Sequence, residues 1–365
     1  MPESCGSISR EKIIETRNVV VKFTLRGDVL TAIRGVSMDL YKGESLAIVG
    51  ESGSGKTVFT KTFMGMLEAN GWVDEGQILY KGADLAKNNT ERQWLSIRGR
   101  EIAMVFQDPM TSLNPLKTIG RQISETVELH QDVGRVEAKK IAIDILSDVG
   151  ITAPERRYGL YPHEFSGGMR QRVVIAIAVA CRPNVLICDE PTTALDVTIQ
   201  AQILQLLRFL QKKYSLTIIY ITHDLGVVAN ASDRIAVMYA GDIVEYGLCD
   251  EIFYNPQHPY TWALLSSLPQ LGIKGEPLFS IRGTPPNLHS EIKGDAFAPR
   301  NPYALEIDFV KRPPYFEVSP THRARTWLLD SRAPRVTPPA PIARAWERWQ
   351  ERRKKRTQDG RQEQE

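Results

Sequence analysis

Eight consecutive residues, Gly50-Glu51-Ser52-Gly53-Ser54-Gly55-Lys56-Thr57, have the spacing of a loop that grips phosphate. Glycines let successive backbone N–H groups turn inward and approach anionic oxygens. A helix that starts at Gly55 aims its positive end at the same place. Lys56 adds a full charge suited to the β- and γ-phosphates of a nucleoside triphosphate, and the Thr57 hydroxyl suits Mg2+, which prefers oxygen ligands. Far along the chain, Val185-Leu186-Ile187-Cys188 runs into Asp189 and Glu190. Two carboxylates at the end of an apolar strand are costly unless a cation attends them. Asp189 therefore fits a Mg2+ site, through water, and Glu190 fits the base that orients and deprotonates an attacking water.

Gln107 ends a short apolar strand in Val105-Phe106-Gln107-Asp108-Pro109, where it could touch the same ion and sense the γ-phosphate. His223 ends another strand, Thr217–Thr222. Alone, a strand-end glutamine is usually a surface amide and a lone histidine is usually structural. The company of the phosphate loop and the two acids raises both. Ser166-Gly167-Gly168-Met169-Arg170-Gln171 opens an apolar helix. Read by itself it is a serine N-cap. The alternative is a second anion site at a helix start. One triphosphate does not need two such sites from one chain, but two chains related by a rough twofold could each cap the other's ligand.

Several elements must hold these residues. Ile13–Phe23 and Leu30–Leu40, split by Arg26-Gly27-Asp28, predict a β-hairpin, and Ser45–Val49 predicts a strand feeding the loop. A helix is expected over Lys56–Leu67 and a strand over Glu101–Phe106. Ile119, Ile123, Val127, Ile141, Ile145 and Val149 recur at helical spacing, so Thr118–Gly150 reads as an inserted helical lobe. A buried helix over Met169–Cys181, a strand at 185–189, a helix over 197–213 and a strand at 217–221 argue for a parallel sheet with crossover helices. Arg234–Tyr239 and Asp242–Tyr246 flank Ala240-Gly241 as two more short strands.

The set Gly50–Thr57, Gln107, Ser166–Gln171, Val185–Glu190, Ala194-Leu195-Asp196 and His223 resembles the ATP-binding subunits of ABC transporters, over roughly residues 13–270. Phe106–Pro115, His258-Pro259-Tyr260-Thr261, Gly283–Leu288 and the stretch Gly294–Leu329 are similar to the oligopeptide and dipeptide importer subclass. The resemblance implies an α/β fold: a RecA-like P-loop NTPase core, an antiparallel β subdomain, an inserted α-helical subdomain and an irregular carboxy-terminal extension. It implies an ATP-binding domain over 1–270 with its helical subdomain at about 108–180, the extension over 271–332, and a Pro-rich, basic, flexible tail over 333–365. Ser166, Gly167, Gly168 and Gln171 would reach a partner's ATP, Ser166 and Gly168 at its γ-phosphate. Asp196 would lie at the dimer seam and His223 on the γ-phosphate. Phe23, near the first hairpin, is the ring on which adenine would stack. Thr57, Gln107 and Asp189 would serve Mg2+.

ATP hydrolysis powering peptide import is the implied function. The implied partners are a second, homologous ATP-binding subunit in a heterodimer, two membrane permease subunits and, indirectly, an extracellular peptide-binding protein, on the cytoplasmic face of the membrane. The same architecture importing nickel or another small solute remains open. So does a soluble, non-transport ABC ATPase, although such proteins usually carry paired domains, a coiled-coil insertion or zinc cysteines, and none is visible. Several members of the subclass hold an iron–sulfur cluster on four cysteines of the extension. Asp295, Asn301, Asp308 and Thr326 occupy the matching positions, so no cluster is expected.

Composition agrees. The chain has 365 residues, 42% hydrophobic and 24% charged, with a net charge of +3, which gives no global pull toward nucleic acid. Cysteines 5, 181, 188 and 249 lack paired spacing and fit a reducing compartment. No basic-then-apolar leader opens the sequence. The longest apolar run, Val173–Ala180, falls far short of the roughly 20 residues a membrane span needs. Arg344–Arg356 carries seven basic and two acidic residues with Trp346 and Trp349 among them; a solvated run is expected, a membrane-surface contact being the alternative.

Overall fold

The computed structural model describes residues 11–350 except 89, 109–111, 193–195, 269–280, 282, 289–291 and 348, and of residue 197 only the backbone. Pro109–Thr111, Ala194-Leu195, Cys5 and the end of the basic run thus lie outside the described residues. Two compact units interleave along the chain. One carries the residues up to Val21, Gly35–Leu46 and Thr57–Ile221; the other carries Lys22–Arg34, Ala47–Lys56 and the residues from Thr222 onward.

Strands β1 (Lys12–Leu25) and β2 (Asp28–Tyr41), which the first unit holds up to Val21 and from Gly35, belong to a sheet of order β2-β1-β4-β5 with β2 and β5 at its edges. Strand β3 (Ser45–Val49) leaves this unit at Leu46. β4 (Gly71–Tyr80) and β5 (Ala83–Asp84) pair antiparallel and were not expected from the sequence. β4 exposes most of its first six residues, so its apolar alternation is weak. The helix expected over 56–67 stops at Lys61 and tightens into a 3-10 turn over Thr62–Met64. Gly65 ends it with φ 58°, and a Cβ there would lie 2.2 Å from the Trp94 ring, so only glycine fits.

β6 (Ile102–Val105), β7 (Val185–Asp189) and β8 (Thr217–Thr222) run parallel, with Cys188 opposite both Val105 and Tyr220. All three strands are buried throughout, as parallel central strands are. Their crossover from β7 to β8 is the helix Val197–Tyr214, which buries Ile203, Leu206, Leu207 and Leu210. The helical lobe consists of Ile119–His130 and Arg135–Asp148, buried along Ile119, Ile123, Val127, Ala138, Ala142, Ile145 and Leu146. The helix Gly167–Val179 buries Val173, Val174, Ile175, Ala176 and Val179.

In the second unit, Arg26 and Gly27 (φ 52° and 93°) form the two-residue turn joining β1 to β2. Strands β9 (Arg234–Tyr239) and β10 (Asp242–Leu248) form a second hairpin around Ala240 and Gly241, also at positive φ. Among its described residues the extension is largely irregular but supplies β11 (Phe316–Ser319) and β12 (His322–Ala324); β12 pairs with β10, Ala324 opposite Glu245. Tyr239, Tyr260 and Phe297 pack ring to ring beneath it, with centroids 4.5 to 5.3 Å apart. Residues 340–347 form a helix that buries Ile342 and Ala345, and Trp349 stacks on Tyr254. Trp346 lies against Trp349, ring centroids 5.2 Å apart, so both tryptophans bring apolar surface to this end of the chain. Among the described residues, no helix is long and apolar enough to cross a membrane.

Candidate functional site

Gly50–Lys56, the bulk of the candidate phosphate loop, lies at the end of β3, within the second unit. Gly50 is forced by contact: a Cβ there would sit 2.1 Å from the Met238 carbonyl oxygen of β9. Any side chain would push the loop off the strand. Gly53 and Gly55 take φ values of 78° and 100°. Ser54 and Lys56 are buried, Lys56 to 6% exposure. The Lys56 ammonium donates to the Gly50 and Glu51 carbonyls at 2.9 Å each, which folds its charge into the mouth of the loop. Glu51, expected among the ligand-binding residues, spends its N–H on the Tyr260 hydroxyl at 2.8 Å. Tyr260 entered the sequence reading only as part of a subclass motif; nothing local marks a tyrosine as the partner of a residue 209 positions away.

Thr57 follows Lys56 in sequence and begins the longest segment of the first unit. Its hydroxyl lies 3.0 Å from both Asp189 oxygens and donates to that carboxylate. Asp189 ends β7 and is 6% exposed. Two hard oxygen donors in contact at the end of a buried strand are a donor set that suits Mg2+. Among the described residues no group of three or more His, Cys, Asp or Glu side chains could hold a metal ion, so an ion at Thr57 and Asp189 would draw further oxygens from phosphate and water.

Glu190 takes φ 44°, the left-handed region, which costs a non-glycine residue about 1–2 kcal/mol. Its N–H donates to the Ile221 carbonyl at 2.9 Å, which holds the strained turn against β8. The Gln107 side-chain amide, from the end of β6, donates to Glu190 Oε2 at 2.9 Å. Thus Thr57 meets Asp189 and Gln107 meets Glu190, across 132 and 83 residues.

The remaining expected residues sit as follows. Ser166 is exposed and its Oγ accepts the Met169 N–H at a long 3.4 Å, with Gly167 beside it in open space. Gly168 faces Ile199, whose Cγ2 would lie 3.2 Å from an added Cβ. Gln171 points inward: 1% exposed, it donates to the Pro191 carbonyl at 2.9 Å and braces the turn after Glu190. Asp196 caps the helix Val197–Tyr214 by accepting the Ile199 N–H at 2.9 Å. His223 is exposed just beyond β8. Phe23 is 8% exposed; most of its ring serves the core, and a stacking role would need it to turn outward.

At the four extension positions one side-chain oxygen of each residue takes a backbone N–H: Asp295 from Phe297, Asn301 from Tyr303, Asp308 from Leu305 and Thr326 from Leu328, while the other Asp295 oxygen lies 3.9 Å from His258 Nε2. Burial raises the Asp308 pKa against the opposing effect of the Leu305 N–H, and neighbouring Asp295 raises it further.

A model of the ABC transporter family matches residues 33–193, and one of the C-terminal region of oligopeptide/dipeptide transporters matches 244–307. The chain is 60% identical over 338 residues to the oligopeptide transport ATP-binding protein AmiE of Streptococcus pneumoniae, covering 92% of this chain and 95% of AmiE. It is 56% identical over 346 residues to the dipeptide transport ATP-binding protein DppD of Lactococcus lactis, covering 94% and 99%. Among solved structures, a dimeric post-hydrolysis state of the ATP-binding cassette MJ0796, bound to ADP and Pi, superposes with a TM-score of 0.58 at 26% identity, covering 65% of this chain and 98% of that one. The fold is that of an ABC ATPase cassette, and the chain belongs to the ABC transporter family, in its branch of oligopeptide and dipeptide transport ATP-binding proteins.

Proposed function

We propose that this chain hydrolyses ATP to power the import of peptides through a pair of membrane permease subunits, as one half of a heterodimer with a second ATP-binding subunit. The observation that carries the reading is the meeting of Thr57 with Asp189 and of Gln107 with Glu190 at the ends of adjacent parallel strands. The relatives named for oligopeptide and dipeptide transport make a peptide the favoured cargo.

Lys56 and the loop N–H groups receive the phosphates. Thr57, Asp189 and Gln107 would hold Mg2+, which would supply positive charge against the phosphates. Glu190 accepts a proton from the attacking water through a carboxylate oxygen and aims that water in line. Gln107 rests on that carboxylate and ties it up, so hydrolysis needs the glutamine to turn toward the nucleotide. Movement of the lobe that follows Gln107 would release it. The exposed start of the helix Gly167–Val179, with Ser166, supplies N–H groups to the ATP of the facing subunit. His223 reaches the γ-phosphate, Asp196 lines the seam, and adenine stacks on Phe23 once the ring turns outward. Domain 1–270 performs this chemistry and the extension accompanies it. Contact with the permeases holds the protein at the cytoplasmic face of the membrane.

Lys56→Ala tests the loop directly: equilibrium titration should show loss of ATP binding by a folded protein. Unaltered affinity would remove the basis of the reading.

A further inference from the structure

Glu51 is the one acidic residue of the phosphate loop, and a loop that receives a triphosphate should not carry a loose carboxylate. In this chain it is answered from 249 residues away. Arg300 donates to Glu51 Oε2 through Nη1 at 2.7 Å and to Oε1 through Nη2 at 3.0 Å, the two-pronged geometry in which arginine binds carboxylate best. Its side chain is 6% exposed against 24% for Glu51, so water screens the pair poorly. Nη1 also donates to the Tyr239 hydroxyl at 3.1 Å, and the guanidinium lies over the Tyr239 and Phe297 rings, 5.8 and 6.0 Å from their centroids. Burial opposes the Arg300 charge, but Glu51 and Tyr239 outweigh it and its pKa is raised. From the same aromatic cluster Tyr260 takes the Glu51 N–H, and Lys56 takes its carbonyl. Every polar group of Glu51 is therefore engaged, at its backbone and at its carboxylate.

We propose that Arg300, in the carboxy-terminal extension, is a positioning residue for ATP: it neutralises Glu51 and holds it clear, so that the loop presents the Lys56 charge to the phosphates. This rests on the reading of Gly50–Thr57 as the ATP loop. The extension thereby acts on nucleotide affinity without touching nucleotide. Electrostatics fixes the signature. A freed carboxylate repels ATP more than ADP, because ATP carries more negative charge. Deleting the carboxylate as well should repair the defect, which no loss of packing could do.

The test is isothermal titration of the full chain with ATP and with ADP, each with Mg2+, with thermal unfolding followed in parallel. Arg300→Met should weaken ATP binding roughly 3- to 30-fold, the range for residues that act on a site without contacting its ligand, and weaken ADP less. Arg300→Lys should fall between Met and wild type, because it keeps the charge and loses the fork. Adding Glu51→Gln to Arg300→Met should recover most of the ATP affinity. If Arg300→Met does not fold, Glu51→Asp takes its place: it keeps the acid one methylene short of Arg300 and should weaken ATP in the same way. Wild-type ATP affinity in folded Arg300→Met or Glu51→Asp, or no recovery in the double variant, overturns the proposal. Lys56→Ala in the same titration separates the two levels. If Lys56→Ala loses ATP while Arg300→Met does not, the clamp is wrong and the loop assignment stands; if Lys56→Ala keeps ATP, the loop assignment itself is wrong.

Discussion

At the end of β7, Asp189 and Glu190 meet side chains that arrive from 132 and 83 residues away, whereas Asp295, Asn301, Asp308 and Thr326 in the extension meet backbone N–H groups two or three residues away. Asp189 and all four extension residues are buried. The partners differ in kind. A threonine hydroxyl and a glutamine amide can rotate away to admit a phosphate, an ion or a water. A backbone N–H inside a turn cannot leave without undoing the turn. Polar groups of the first sort can exchange partners during a reaction, and those of the second sort fix the chain. Long-range side-chain bonding at a strained residue, as at Glu190 with φ 44°, is therefore the better mark of chemistry.

The contrast can be broken most severely at Glu190. Glu190→Gln keeps the shape and removes the base, and ATP turnover should fall about 10² to 10⁴-fold while the ATP-bound dimer accumulates. Near-normal phosphate release by the assembled transporter would move Glu190 to the structural class. Asp189→Asn should come next, with the Mg2+ requirement for turnover rising about 10- to 100-fold, as for groups that hold a metal through its outer ligands. A Mg2+ titration measures it, and an unmoved midpoint would place Asp189 with the caps. At the four extension positions Asp295, Asn301, Asp308 and Thr326 the effects should be smaller and confined to folding. Asp308→Ala removes the acceptor of the Leu305 N–H and should cost about 0.5–2 kcal/mol of stability by denaturant unfolding, with turnover unchanged. A loss of turnover in folded protein would erase the distinction.

Asp308→Asn sharpens it further, with the smallest effect. The folded state raises the carboxyl pKa, so the wild type loses stability as pH rises from the ordinary carboxylate value of 3.8 through the raised one, and carries the full penalty above it. Asparagine keeps an acceptor and has no charge to bury. The variant should melt slightly higher than wild type at neutral pH, by less than about 1 kcal/mol, with the gain fading as the pH falls below the carboxylate range. A variant that melts lower at neutral pH would show that the charge itself holds the turn.

The parts of the site that were legible in the sequence are those built from neighbours. Gly50–Thr57 and Val185–Glu190 declare themselves because a phosphate loop and an acid-ended buried strand each need a fixed local order of residue types. The hairpins at Arg26-Gly27 and Ala240-Gly241 and the helical lobe are of the same kind, set by turn chemistry and periodicity. β4 escaped notice because half of it faces solvent. Gln171 read as part of a ligand-binding segment, yet it faces Pro191. Phe23 read as the ring on which adenine would stack, and its side chain is 8% exposed.

Local order is written in the sequence because turns, caps and alternating burial involve residues within a few positions of one another. The candidate phosphate loop and the two acids at the end of β7 were read at that level. Which way Gln171 and Phe23 turn, and that Arg300 answers Glu51, depended on what the folded chain brought alongside. A side chain has many possible partners along 365 residues, and only close packing selects one.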